Sequence, residues 1–100
     1  MFKQKVISVV NQIPYGAVAA YSDVAALAGS PGAARVVGQI AKYSSSDAPW
    51  HRVVRSDGTL AEGFAWGGAK AQQRLLESEG VAFSPTGAIV GFESLRGVAT

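Results

Sequence analysis

Y-S-D-V-A-A-L-A-G-S-P-G-A-A-R-V-V-G-Q-I-A-K-Y, running from Tyr21 to Tyr43, is the stretch that decides the fold. Ser22 has the side chain of a helix N-cap, and Asp23 behind it sits where the helix dipole favours an acid. A short apolar helix from Asp23 to Ala28 is expected. Gly29-Ser30-Pro31-Gly32 then ends it, because glycine and proline interrupt helical runs. A second helix over 32–43 offers Ala33, Val36, Val37, Ile40 and Ala41 for one buried stripe. Two helices joined by a tight Gly/Pro turn, the second with Arg35 in its first turn, make a helix-turn-helix pattern.

Working outward, Phe2, Val6, Val9, Val10 and Ile13 recur at helical spacing and predict an amphipathic helix over 2–12. Pro14 stops it by pushing Ile13 out of the helical region, and Tyr15-Gly16 supplies the turn. Ala17 to Tyr21 is a short apolar connector. On the other side, Ser44 to Ala48 is a polar loop, and His51 to Val54 reads as a strand. Ser56-Asp57-Gly58-Thr59 is its turn and Leu60 its return, the β-hairpin that a winged helix carries. Gly63 to Gly68 is a glycine-rich aromatic loop. Ala69 to Ser78 reads as a helix anchored by Leu75 and Leu76 and capped by Gly80. The tail has a weak hairpin pattern around Pro85-Thr86-Gly87, and residues 84–100 read as a weakly ordered end of a single domain spanning 1–100. The expected class is mainly α, a winged helix-turn-helix with a short hairpin.

Composition narrows the function. A chain of 100 residues with 48% hydrophobic and 16% charged residues folds rather than staying disordered. No apolar run approaches a membrane span, and the N-terminus lacks the pattern of a signal peptide. No membrane partner is expected, and the expected location is cytoplasmic, nucleoid-associated when bound to DNA. Without cysteine there is no disulfide or thiolate zinc site, and a single histidine cannot build an all-histidine metal site. No metal or cofactor is expected. Residues 1–55 carry six basic and two acidic side chains, residues 56–100 three basic and five acidic. A basic first half points towards a polyanion.

Several motifs then fall in one order: I-P-Y-G-A-V-A-A-Y-S-D-V-A, G-S-P-G-A-A-R-V-V-G, P-W-H-R-V-V, S-D-G-T-L and L-L-E-S-E-G. Together, over residues 2–82, they resemble the DNA-binding domain of the O6-alkylguanine-DNA alkyltransferases. That family's signature is P-C-H-R-V, whose cysteine accepts the alkyl group. Here Trp50 occupies the position, as in the alkyltransferase-like proteins, which bind the lesion without repairing it. An indole cannot accept an alkyl group as a thiolate does.

The resemblance implies non-enzymatic recognition of O6-alkylguanine in duplex DNA through the minor groove, by a monomer that flips the base. It also implies that the lesion is marked for nucleotide excision repair proteins. Carried over by motif, Arg35 fills the space left by the flipped base, and Tyr21 presses on the phosphate beside it. Ser22 also contacts a phosphate, while Gly32, Ala33 and Ala34 are small enough for close approach to the groove. Pro49 and Trp50 are expected to line the lesion pocket, so that Trp50→Ala weakens lesion binding more than binding to undamaged duplex. His51 and Glu79 activate the thiol in active relatives; with nothing to activate here, they and Arg52 are expected to support the pocket wall. The 63–68 loop lacks the family's Tyr-Ser pair and its arginine variant, which leaves Phe64 and Trp66 as the expected aromatic contacts.

Two other functions fit parts of the pattern. A lesion hydrolase would use His51 as a general base on water. A winged-helix regulator would read base sequence from the major groove, but after Arg35 its recognition helix offers only Gln39 as a reader.

Overall fold

The computed structural model describes residues 2–43, 47–60 and 67–97. Helix α1 spans Phe2–Asn11 and buries Val6, Val9 and Val10. Past it, the Gln12 and Ile13 amides bond to the Val9 and Val10 carbonyls at 3.0 and 3.1 Å, tightening the chain before Pro14. Strand β1 is Ala19–Ala20, followed without a loop by helix α2, Tyr21–Leu27. Helix α3 is Ala34–Tyr43, a 3₁₀ turn covers Trp50–Arg52, and strand β2 is Val53–Val54. Helix α4 is Gly68–Ser78 and a one-turn helix α5 is Phe92–Leu95.

The helix-turn-helix forms as expected, with its first cap in a different place. Ala20, not Ser22, is the N-cap of α2, and the Asp23 carboxylate reaches back to the Ala20 amide at 2.9 Å. The strand before the helix holds Ala20 extended, so the helix starts one residue before Ser22. At the other end Gly29, with φ of +97°, takes the left-handed conformation that closes α2. Its amide bonds to Ala26 and the Ser30 amide to Ala25, at 3.0 and 2.9 Å, which satisfies two carbonyls left open by the helix end.

The strand expected over 51–54 is a correction in two respects. His51 and Arg52 lie in the 3₁₀ turn, and the two remaining residues pair in parallel with β1, Ala19 against Val53 and Ala20 against Val54. Parallel strands require a long crossover, and α2 with α3 provides it. The hairpin itself shrinks to a turn closed by the Arg55 amide on the Thr59 carbonyl at 2.9 Å. Thr59 then pairs with Ala88 of the tail.

The two-stranded sheet separates two cores. Ala19 and Val53 face a cluster with Val6, Val10, Val24, Val37 and Trp50. Val18, Ala20 and Val54 face the opposite cluster of Leu76, Val81, Ile89 and Phe92. This is the two-residue alternation of strands. Leu76 is buried but Leu75 is exposed, and on α3 Val37 is buried while Val36 is exposed, so each stripe is narrower than its apolar letters imply.

The described part of the tail packs onto this frame. Phe83 bridges Ile89 across the expected 85–87 turn. The Ile89 amide bonds to the Gly58 carbonyl, and the Val18 amide to Leu95, at 2.9 and 3.0 Å. Arg96 grips both oxygens of Asp23, at 2.8 and 3.0 Å. Gly58 has φ of +82°, and a Cβ there would lie 3.2 Å from the Phe92 ring. Gly58→Ala is therefore expected to cost about 1–3 kcal/mol. Calorimetry should show the melting temperature falling by roughly 4–8 °C for each kcal/mol.

Candidate nucleic-acid interface

The ends of β1 and β2 open onto a cavity of about 560 Å³. Tyr21 and Ser22 reach it from the first turn of α2, and Ala34, Arg35, Gly38 and Lys42 from α3. Arg55, Ser56 and Asp57 close it from the turn after β2. Three cations therefore face one acid, and the acid is engaged elsewhere. Asp57 accepts the Thr59 hydroxyl at 2.6 Å and the Thr59 amide at 3.0 Å, which hold its pKa below the ordinary value. Burial pushes the Tyr21 phenol upward, the Arg55 guanidinium partly opposing it, so at neutral pH Tyr21 is a neutral donor. The cavity presents positive charge and a hydroxyl donor, as a phosphate backbone requires.

Of the residues expected at the site, Tyr21, Ser22, Ala34 and Arg35 meet at this cavity. Gly32 is exposed in the turn before α3, and Ala33 packs partly against the first core. Pro49 is half-buried, and neither it nor Trp50 lines the cavity. Trp50 is 2% exposed and belongs to the first core, where its indole Nε1 is enclosed without a hydrogen-bond partner among the described residues. Phe64 and Trp66, with the rest of 61–66, lie outside the described residues, as do Ser44 to Ser46.

Behind Trp50 stands a polar cluster centred on Glu79. His51 Nε2 lies 2.7 Å from its Oε2, and Arg52 donates Nε to Oε1 and Nη2 to Oε2, both at 2.9 Å. Arg52 also donates to the Ile13 carbonyl at 2.9 Å, and the Gly16 amide approaches Glu79 at 3.4 Å. Burial disfavours the Glu79 carboxylate, but the bonds from Arg52, His51 and Gly16 outweigh it and lower its pKa from 4.5 to about 2. The cluster joins the end of α4 to the 3₁₀ turn and to the chain after α1. Gln72, buried on α4, completes the brace by donating Nε2 to both the His51 and Val53 carbonyls at 3.0 Å. The L-L-E-S-E-G motif gives the position of Glu79; no comparable signal marks Gln72, whose apolar-facing register appears only once α4 is docked.

Residues 1–81 match the family described as "6-O-methylguanine DNA methyltransferase, DNA binding domain". The chain belongs to that family. It is 42% identical over 82 residues to alkyltransferase-like protein 1 of Schizosaccharomyces pombe, covering 80% of this chain and 76% of that protein. It is 44% identical over 90 residues to the DNA base-flipping protein of Escherichia coli, covering 88% and 68%. In structure it matches S. pombe Atl1 in complex with damaged DNA containing O6-carboxymethylguanine. That match has a TM-score of 0.82 at 33% identity and covers 98% of this chain and 95% of the other. The winged-helix-like fold and the alkyltransferase-like character expected from the motifs both hold.

Within this family the motifs mark the turn after β2 from Ser56 onward but leave Arg55, between P-W-H-R-V-V and S-D-G-T-L, unmarked. Arg55 lies just past P-W-H-R-V-V and reaches the cavity only because β2 runs parallel to β1. Lys42, at the far end of α3, joins it by helical periodicity, one face carrying Arg35, Gly38 and Lys42.

Proposed function

We propose that this protein recognises O6-alkylguanine in duplex DNA by flipping the base out of the stack, and leaves the lesion chemically intact. One observation carries the reading. The His51–Glu79 pair is fully assembled at 2.7 Å, yet the residue at the reactive position ahead of it is an enclosed tryptophan, in a chain without cysteine. The pair is half of an activation device with no nucleophile to activate. Its remaining work is mechanical, bracing the wall on which Trp50 sits. Names of related proteins support the same reading: one is a base-flipping protein, and another is bound to damaged DNA.

In this reading the cavity beside α3 takes the DNA backbone while Arg35, exposed in the first turn of α3, enters the duplex. A planar guanidinium stacks where the base stood. The bound monomer serves as a flag that nucleotide excision repair proteins read, by analogy with the family. Arg35→Ala should lose roughly 10–100-fold in lesion affinity, since it gives up part of the few kcal/mol that base extrusion demands. Its circular dichroism should match the parent, because the side chain is exposed.

The deciding experiment titrates two matched duplexes, with O6-methylguanine or with guanine, at one salt concentration, and then digests them to quantify the lesion. Selective binding with the methyl group retained is the expected result. Equal affinity for both duplexes would make the chain a DNA-binding domain without lesion specificity. Loss of the methyl group or release of the base would make it an enzyme, with His51 as the first residue to test.

A further inference from the structure

The register of the sheet creates a pairing that no motif marks. Ala20 lies opposite Val54, so the residues that follow the two strands, Tyr21 opening α2 and Arg55 opening the turn, start from the same end of the sheet, and both line the cavity. Ala20 and Val54 face the second core, whereas Tyr21 packs partly against the first. Tyr21 presents its edge to the cavity, and Arg55 is exposed at the same mouth.

Among the described residues the hydrogen bonds of Arg55 are those of its backbone, its amide to the Thr59 carbonyl and its carbonyl to the Gly58 amide, both at 2.9 Å. These fix where the side chain leaves the turn. No hydrogen bond or ion pair holds the guanidinium among the described residues. By contrast, Arg52 is spent on Glu79 and Arg96 on Asp23. Asp57, at the same cavity, feels the Arg55 charge but gives its hydrogen bonds to Thr59. Tyr21 feels the guanidinium, which opposes the upward push of burial on its phenol. A neutral hydroxyl and a guanidinium without a hydrogen bond among the described residues thus line the same cavity.

The family resemblance already gives Tyr21 a phosphate contact; we propose that Arg55 grips that same phosphate, supplying the charge beside the Tyr21 hydroxyl. A phosphate has several acceptor oxygens and suits a planar guanidinium beside a hydroxyl. The contact carries no information about the base. Its role is to anchor the backbone on the turn side of the cavity, opposite Arg35, so that a nucleotide can rotate against a fixed phosphate. The inference rests on the DNA-binding reading above.

The test is the salt dependence of binding, measured on the lesion-bearing and the undamaged duplex. Each neutralised phosphate contributes about 0.9 to the slope of log K against log salt on duplex DNA. Arg55→Ala should lower that slope by about 0.9 and weaken both duplexes by a similar factor, on the order of 3–10-fold at moderate salt. Arg55→Lys should keep the slope while losing part of the affinity, and Lys70→Ala, on α4 away from the cavity, should change neither. Tyr21→Phe should cost less in the Arg55→Ala background than in the parent, because both act on one phosphate. An unchanged slope in Arg55→Ala, with melting temperature reduced, would overturn the grip and make Arg55 a brace for the 55–59 turn. Loss confined to the lesion duplex would overturn it also, placing Arg55 at the base. If the parent chain shows no salt-dependent DNA binding, the DNA reading and the grip fall together; a binding parent with an unchanged Arg55→Ala slope removes the grip alone.

Discussion

Trp50→Ala is expected to destabilise the protein by about 3–5 kcal/mol, the usual cost of emptying a buried aromatic site. The indole is 2% exposed and packs with residues from α1, α2, α3 and β2, so its loss opens the core where all of them meet. A domain of this size has only about 5–15 kcal/mol in total. Thermal denaturation should show the melting temperature falling by on the order of 20 °C. A drop of only a few degrees would mean that the indole is not part of the core.

This outcome changes how lesion binding must be probed. An alanine at position 50 weakens both duplexes by depleting the folded state, and hides any selective effect. Trp50→Phe keeps most of the apolar volume and removes the enclosed Nε1 donor, which has no partner among the described residues. Its two effects on stability oppose one another, since an unsatisfied buried donor costs about 1–3 kcal/mol. The melting temperature of Trp50→Phe should therefore stay near the parent's. A selective loss on the O6-methylguanine duplex in that variant assigns the indole to the pocket wall; equal affinities assign it to the core alone.

Glu79→Ala is expected to cost about 3–5 kcal/mol, because it strands a mostly buried Arg52 guanidinium without its counter-charge. Three partners, His51, Arg52 and the Gly16 amide, lose their acceptor together. Urea denaturation at pH 7 measures the loss. The same carboxylate sets an acid limit on stability. Its folded-state pKa of about 2 lies below the ordinary 4.5, so its contribution is fully present above pH 4.5. The contribution drains away as the pH falls from 4.5 through about 2. Asp23, held low by Arg96 and by the Ala20 amide against the opposing effect of burial, contributes in the same direction. Glu79→Gln retains a hydrogen-bonding group without the charge, and should flatten the stability profile between those limits. A profile as steep as the parent's would show that other carboxylates govern acid unfolding.

Much of the recognition machinery was legible because it is local. Pro14 ends α1, Gly29 ends α2, and Arg35 falls in the first turn of α3, all through rules that act within four or five residues. The tail turn at 85–87 obeys the same short-range logic. Where local rules misled, a longer contact had overridden them. Ser22 lost the cap because β1 holds Ala20 extended and Asp23 bonds back to it. His51 and Arg52 left the expected strand because both side chains are drawn to Glu79, 28 and 27 residues away.

The sequence by itself determined that this is a helix-turn-helix of the alkyltransferase family, with an indole where the family's thiol would stand. Side-chain chemistry and short-range backbone preference suffice for that. Tertiary structure alone decided that Trp50 lies inside the core, that β1 and β2 run parallel, and that Arg55 lines the same cavity as Tyr21. It also decided that Arg96 reaches Asp23 across 73 residues of chain. Two residues that far apart meet only when burial of both cores sets the path between them, and no preference of either residue encodes that path.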